Sequence, residues 1–344
     1  MAILVTGGAG YIGSHMVWSL LDEGHEVVVV DRLSTGFRWA VAPKARFYLG
    51  DIGDRVLLQQ VFAENRIEAI LHFAGSIVVP ESVRAPLDYY ENNTGNTRVL
   101  ISEAITAGVR SFIFSSTAAV YGTPPSNAPV READTPRPEN PYGMSKLMTE
   151  IMLQDAARAH DFRFVALRYF NVAGADLKGR VGPATRNATH LIKVACETAL
   201  GERKAIHVFG GDYPTPDGTG VRDYIHVADL VSAHFDALRH LQGGRESMIV
   251  NCGYGRGYSV LDVLRAVERV SGVTLTVVHG QRRPGDAASV VADSTLARQR
   301  LGWRPRHDDL DGIIRSSLDW ERQMRREEFQ DIAALQRKLA ALVS

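Results

Sequence analysis

Apolar positions along this chain fall into two kinds of segment. Short runs without polar alternation, AILVT (2–6), EVVVVD (26–31), RFYLGD (46–51), AILHFA (69–74), SFIFSS (111–116) and RFVALRY (163–169), read as strands. Longer segments between them, such as 12–23, 87–107 and 142–160, carry Leu, Val, Ile, Met and Ala at helical spacing. Strand-then-helix repetition predicts an α/β fold with a doubly wound parallel sheet. Because the strand runs are apolar on both faces, helices are expected to cover the sheet from both sides. Beyond about residue 170 the rhythm gives way to the Gly/Pro/Asp-rich stretches GADLKGRVGPAT and GGDYPTPDGTG, where a smaller C-terminal α/β region is expected to begin. A later run, MIVNCG (248–253), is expected to return to the main sheet, so the predicted division is 1–170 rejoined by about 223–253, against 171–222 and 254–344. The tail from Glu321 onwards reads as a solvated amphipathic helix.

Composition narrows the function. With 344 residues, 45% of them hydrophobic, the chain suits one large or two modest domains. Its 39 basic and 39 acidic residues balance to 39 − 39 = 0, so no global field draws it to nucleic acid or an anionic membrane, and neither is expected as a partner. Any anion must be met locally. Cys196 and Cys252 stand far apart, which excludes a disulfide framework and a structural zinc, and no His, Cys or carboxylate cluster suggests any other metal. The N-terminal MAILVTGG passes straight into a strand-like run, and a cytoplasmic protein is expected.

The first strand runs into Gly7-Gly-Ala-Gly10-Tyr11-Ile12-Gly13 and then a helix. There, backbone N–H groups and the helix dipole meet a dinucleotide pyrophosphate, the arrangement of a Rossmann domain. Asp31 ends the second strand eighteen residues past Gly13, where a carboxylate accepts the adenosine ribose hydroxyls and repels a 2′-phosphate. NAD is therefore the expected cofactor. Arg32 dissents, since an arginine can accommodate that phosphate. Asp51-Ile52 and Phe73-Ala74-Gly75 close the third and fourth strands, at the edge expected to hold the adenine and the nicotinamide ribose.

A second constellation lies further on. Tyr142 and Lys146 share one face of the helix that PYGMSK begins, with Pro141 in its first turn. A phenol is a poor base near pH 7, but a neighbouring ammonium favours phenolate, so Lys146 is expected to make Tyr142 usable. Thr117, closing the fifth strand, is placed to set a hydroxyl beside that phenol.

The order TGGAGYIG, HFAG, FSSTAAVYG, PYGMSK, LRYFNVAGA, DGTGVRDYIHVADL and RRPGD, from residue 2 to about 320, resembles the extended short-chain dehydrogenase/reductase family. YPTPDGTGVRDYIHV with NPYG and RYFNVAGA narrows the resemblance to members that invert C4 of a UDP-hexose, glucose to galactose, through a transient 4-keto sugar with NAD bound. It implies Tyr142 as base, Thr117 as its hydroxyl partner and Lys146 on the cofactor ribose. It adds Asn92, Ser115 and Tyr169 to the cofactor side. For the nucleotide sugar it implies Asn171, His190, Leu191, His207, Arg222, Arg283 and Asp286, with Phe209 near the uracil and Thr117 again. A homodimer through the helices near 87–107 and 141–159 is also implied. Arg222 and Arg283, both read as lying in Gly-rich loops, suit bidentate pairing with a diphosphate. The chain departs from the family pattern at Ile77 and Lys193, where lysine and proline are usual, and at His190, expected to cap a helix or meet phosphate. Val290 falls where side-chain bulk decides whether a 2-acetamido group fits. The rival readings are a UDP-N-acetylglucosamine, UDP-glucuronate or UDP-pentose 4-epimerase and a non-enzymatic NAD-binding protein. A 4,6-dehydratase is disfavoured because Ala118 and Ala119 stand where it needs an acid and a base.

Overall fold

The computed structural model describes residues 1–184, 188–283 and 286–343, with side chains described as far as Arg326. In chain order the strands are β1 (Ala2–Thr6), β2 (Glu26–Asp31), β3 (Arg46–Leu49), β4 (Ile67–His72), β5 (Ser111–Thr117), β6 (Arg163–Tyr169), β7 (Asn171–Ala173), β8 (Ile206–Phe209), β9 (Val221–His226), β10 (Met248–Cys252), β11 (Gly257–Ser259), β12 (Val277–Gly280) and β13 (Ser289–Val290). Seven form one sheet in the order β10-β6-β5-β4-β1-β2-β3, with every neighbouring pair parallel. The chain winds outward from β1 in both directions, so the crevice lies at the carboxyl ends of β1 and β4.

Alternate residues explain the two covered faces. Ile3, Val5, Val29 and Leu71 pack with Met16 and Val17 of the helix Tyr11–Asp22 and with Leu230 and Phe235 of the helix Val227–Gln242. Leu4, Val28, Ile70 and Phe112 point the other way, onto Leu58, Leu100 and Leu153 of the helices Arg55–Glu64, Asn96–Thr106 and Pro141–Ala159. β10 does return to the sheet, pairing with β6. Two strands end earlier than their apolar runs suggest: β3 stops at Leu49 and β4 at His72, leaving Asp51 and Phe73-Ala74-Gly75 in the turns beyond.

The segment 87–107 is helical but not uniform, since a π segment, Tyr90–Gly95, separates Pro86–Tyr89 from Asn96–Thr106. Such segments re-aim side chains and gather at functional sites. The smaller region has its own core, in which Ile192, Cys196, Val208, Tyr224, Val263 and Ile314 meet. Its strands are short: β9 pairs β7, β11 and β13, while β8 pairs β12. The last helix, Leu310–Val343, carries the backbone of the tail expected to be helical. Among the described residues no helix is long and apolar enough to cross a membrane.

Candidate active site

β1 leaves the sheet through Gly7, whose φ of +71° suits glycine. A Cβ on Gly7 would stand 2.5 Å from the Ala74 backbone nitrogen, and one on Gly13 would strike the Gly7 carbonyl oxygen. Both collisions are with backbone, which cannot swing aside. Gly10 precedes the helix Tyr11–Asp22 without a side-chain cap, so its first-turn N–H groups have no intrahelical partner. Gly10, Tyr11, Ile12 and Gly13 line a cleft that opens to solvent along the strand ends. All the expected cofactor residues line it except Ser115 and Lys146, which are buried.

At one end of the cleft, Asp31 is already oriented. Its Oδ2 accepts the Ala9 N–H at 2.9 Å and its Oδ1 the Leu33 N–H at 2.8 Å. Leu33 has a φ of 58°, an uncommon conformation for a leucine that this hydrogen bond helps to hold. Arg32 turns to Asp51 instead, donating from Nη1 to Oδ2 at 2.8 Å, with Nε on Ser34 Oγ at 3.2 Å. The other oxygen of Asp51 accepts Gly53 N–H and Asn96 Nδ2.

At the other end lies the chemistry. Asn140 caps the helix Pro141–Ala159 by accepting the Gly143 N–H at 2.9 Å, with Pro141 at its first position. Tyr142 and Lys146 are both buried on the face toward the sheet, and Tyr142 also lines the cleft. The Lys146 ammonium donates to the Ser115 carbonyl at 3.1 Å and lies 4.9 Å from the centre of the Phe114 ring. Burial pushes its pKa down to about 8. The expectation that this ammonium draws the phenol toward ionisation needs correction for the protein alone. Burial lifts the Tyr142 phenol well above its ordinary range, Tyr169 adds to the rise, and the hydrogen bond to Thr117 is what opposes it. Thr117 thus emerges as the phenol's own partner. Ser115 Oγ donates to the Tyr169 hydroxyl at 3.1 Å, which aims that ring at the same cleft.

The residues expected to hold a nucleotide sugar sit in the smaller region, on short strands and loops. Arg222 lies inside β9 rather than in a loop, because the apolar run that continues through Tyr224 and Ile225 extends the strand back to Val221. Its Nη2 reaches Asp286 Oδ1 at 3.3 Å. The Arg283 guanidinium stacks 3.9 Å above the Phe209 ring, and His207 stacks on that ring from the neighbouring position at 6.0 Å. Pro284 and Gly285 of the RRPGD motif lie outside the described residues. Val290 pairs in register with Arg222 and packs against the buried cluster of Val120, Tyr121, Val130, Phe170 and Ala292. Asn171 donates to the Asp223 carbonyl at 3.4 Å. His190 and Leu191 stand at the start of the helix Leu191–Ala199, but His190 makes no side-chain cap, so the capping half of that expectation is not met.

A family model described as the NAD dependent epimerase/dehydratase family matches residues 3–253. The chain belongs to that family. A UDP-glucose 4-epimerase of Azospirillum brasilense is 56% identical over 94% of this chain and 92% of its own length. A solved UDP-glucose 4-epimerase superposes with a TM-score of 0.92 at 45% identity, covering 94% of this chain and 98% of the other. The UDP-glucose 4-epimerase of Bifidobacterium longum, solved in complex with NAD⁺ and UDP, gives 0.89 at 40% identity over 94% and 98%. The cleft suits the cofactor this family is named for: two glycines whose Cβ would collide with backbone, unpartnered helix N–H groups, and a buried ammonium beside Gly75.

Several residues that support this family member's site carry no motif. Glu150 and Arg168, both fully buried, form an ion pair at 2.5 Å, and Glu150 also accepts Ser116 Oγ at 2.5 Å. This locks the end of β5 to the helix Pro141–Ala159, and removing one partner would leave a buried charge uncompensated. In the π segment, Asn93 accepts the Ser76 N–H at 2.7 Å and donates to Ser145 Oγ at 3.0 Å, tying the Gly75 turn to the catalytic helix. Asn92 donates to Ser76 Oγ at 2.8 Å. His72 sits beneath the crevice between Thr6 Oγ1 at 2.6 Å and Thr97 Oγ1 at 2.8 Å, and burial, with the Lys146 charge, keeps it neutral.

Proposed function

We propose that this chain is an NAD-dependent UDP-glucose 4-epimerase, inverting C4 of a UDP-hexose through a transient 4-keto sugar. The observation that carries the reading is Tyr142, with the Thr117 hydroxyl acting on its phenol, at the wall of a glycine-cradled cleft. When bound, NAD would supply the acceptor and donor for the C4 hydride, and the chain's own residues do the rest. Gly7 to Gly13 would hold its pyrophosphate, Asp31 its adenosine ribose and Lys146 its nicotinamide ribose. Tyr142 takes the proton from the 4-hydroxyl and gives it back, while Thr117 holds the phenolate and orients it. Arg222 and Arg283 grip the UDP diphosphate, Phe209 meets the uracil, and the sugar is left free to turn.

In this reading 1–170 with about 223–253 serves the cofactor, and 171–222 with 254–344 serves the nucleotide sugar. The exposed side chains of Leu87, Met148 and Ile151 support a homodimer through the two helices that carry them. A cytoplasmic setting fits two buried free thiols. The test is conversion of UDP-galactose to UDP-glucose by purified protein, with the retained nucleotide identified after denaturation. Absence of turnover in NAD-loaded protein would overturn the reading.

The modest size of Val290, which packs against the cluster of Val120, Tyr121 and Phe170, favours a second reading, that UDP-N-acetylglucosamine is also accepted. Valine leaves room near C2, and added hydrophobic room discriminates only weakly against the plain hexose. Val290→Tyr should then suppress the acetamido sugar selectively. Equal loss of both substrates would reduce Val290 to packing.

A further inference from the structure

Among the described residues that line the cleft, Arg32 is the one lysine or arginine. It follows Asp31 directly and would be the natural cation for a 2′-phosphate on the adenosine ribose. Its guanidinium is already engaged: Nη1 is on Asp51 Oδ2 at 2.8 Å and Nε on Ser34 Oγ at 3.2 Å. Asp51 is itself fixed, because its second oxygen accepts both Gly53 N–H and Asn96 Nδ2 at 2.8 and 2.9 Å. The acceptor therefore stays and holds the arginine across the adenosine end of the cleft.

We infer that Asp51 is a cofactor-specificity residue: by holding Arg32 it withholds the cleft's guanidinium from a 2′-phosphate, so rejection of NADP is shared between the charge of Asp31 and the grip of Asp51. This rests on the proposed NAD site and deepens it. Asp31 repels the phosphate directly, and Asp51 removes the compensation that the neighbouring arginine would supply. Arg32 and Asp51 are partly exposed, with side chains 44% and 31% accessible, so the grip is a modest one.

The experiment reads the ratio of NADP to NAD affinity on full-length, cofactor-stripped protein by direct nucleotide titration. Asp31→Asn alone should move the ratio toward NADP. Asp51→Asn, with its one oxygen kept on Gly53 and Asn96, turns an NH2 group to Arg32 and releases it, and in the Asp31→Asn background it should move the ratio a further roughly two- to fivefold. That second step should vanish when Arg32→Ala is also present. In the parent, Arg32→Ala should leave the ratio within about twofold, because the guanidinium is not available to NADP. A second step that persists without Arg32, or no second step at all, overturns the inference while leaving the cofactor site standing. If Asp31→Asn leaves NAD and NADP binding both unchanged, the cofactor reading itself fails.

Discussion

The proposed cofactor half and the proposed substrate half of this molecule would recognise their ligands by different means. Around Gly7, Gly13 and Ala74 the contact surface is backbone, set by strand ends and one helix start, and side chains there are mostly absent by requirement. Around β8 and β9 the groups proposed to recognise the nucleotide sugar are long side chains engaged with one another, Arg222 with Asp286 and Arg283 with Phe209. A backbone site is rigid before its ligand arrives, whereas a side-chain site must exchange internal partners for the ligand. The first should therefore fail abruptly when its shape is altered and the second should weaken by degrees.

Tyr142 stands where the halves meet, and its loss should be the largest effect. Tyr142→Phe removes only the ionisable oxygen and should lower turnover by about 10²- to 10⁴-fold, with retained nucleotide unchanged on denaturing release. Near-normal turnover would remove Tyr142 from the chemistry. Next is Gly13→Ala, a single methyl group directed onto the Gly7 carbonyl. Overpacking of this kind costs about 1–3 kcal/mol, so NAD affinity should fall roughly ten- to a hundredfold, while KM for the nucleotide sugar in NAD-saturated protein changes little. Equal damage to both ligands would erase the distinction between the halves.

Arg222→Gln tests the other half. Loss of a charge-assisted bond to a diphosphate costs about 1.5–3 kcal/mol, which should appear as a KM increase of roughly tenfold or more with kcat largely kept. A fall in kcat at unchanged KM would place Arg222 in the transition state rather than in grip.

Lys146 gives the most specific effect, one of stability rather than turnover, in cofactor-free protein. Its folded pKa of about 8 lies below the ordinary lysine value of 10.5, so between those limits the unfolded chain binds more protons and stability rises with pH. Below about pH 8 the full burial penalty is present. Lys146→Met should therefore raise the thermal midpoint near pH 7, by on the order of 3 kcal/mol in stability, and the advantage should fade as pH approaches 10.5. A constant difference across that range would mean that the ammonium is not desolvated as the fold implies.

The same contrast decides what could be read from the sequence. The seven-stranded sheet was legible because each buried strand had to be apolar on both faces, and the glycine loop because backbone contact tolerates no other residue. Tyr142 and Lys146 were legible because a helix fixes their spacing. Arg222, Arg283 and Phe209 have no such periodicity, and only family resemblance singled them out. The glycines of GGDYPTPDGTG mask the start of β9, so sequence pattern alone places Arg222 in a loop. Missing altogether were the partnerships made by folding, Arg32 with Asp51, Glu150 with Arg168 and Asn93 with Ser76. Each joins residues well separated along the chain, and no local pattern announces them.

The place of β10 in the sheet has a consequence for how the molecule can be made. Residues 248–252 zip onto β6, at 163–169, only after the chain has passed through β7, β8 and β9, which lie outside the main sheet. On a ribosome, about 170 residues can emerge and build most of the sheet while β6 still presents an open row of N–H and C=O groups along its flank. An unprotected edge of that kind recruits neighbouring chains. Nascent chains that stall between β6 and β10 are therefore the aggregation-prone species, and a fragment cut at residue 170 would inherit the same sticky margin. Adding the detached 223–253 segment back in trans is the natural way to seal it.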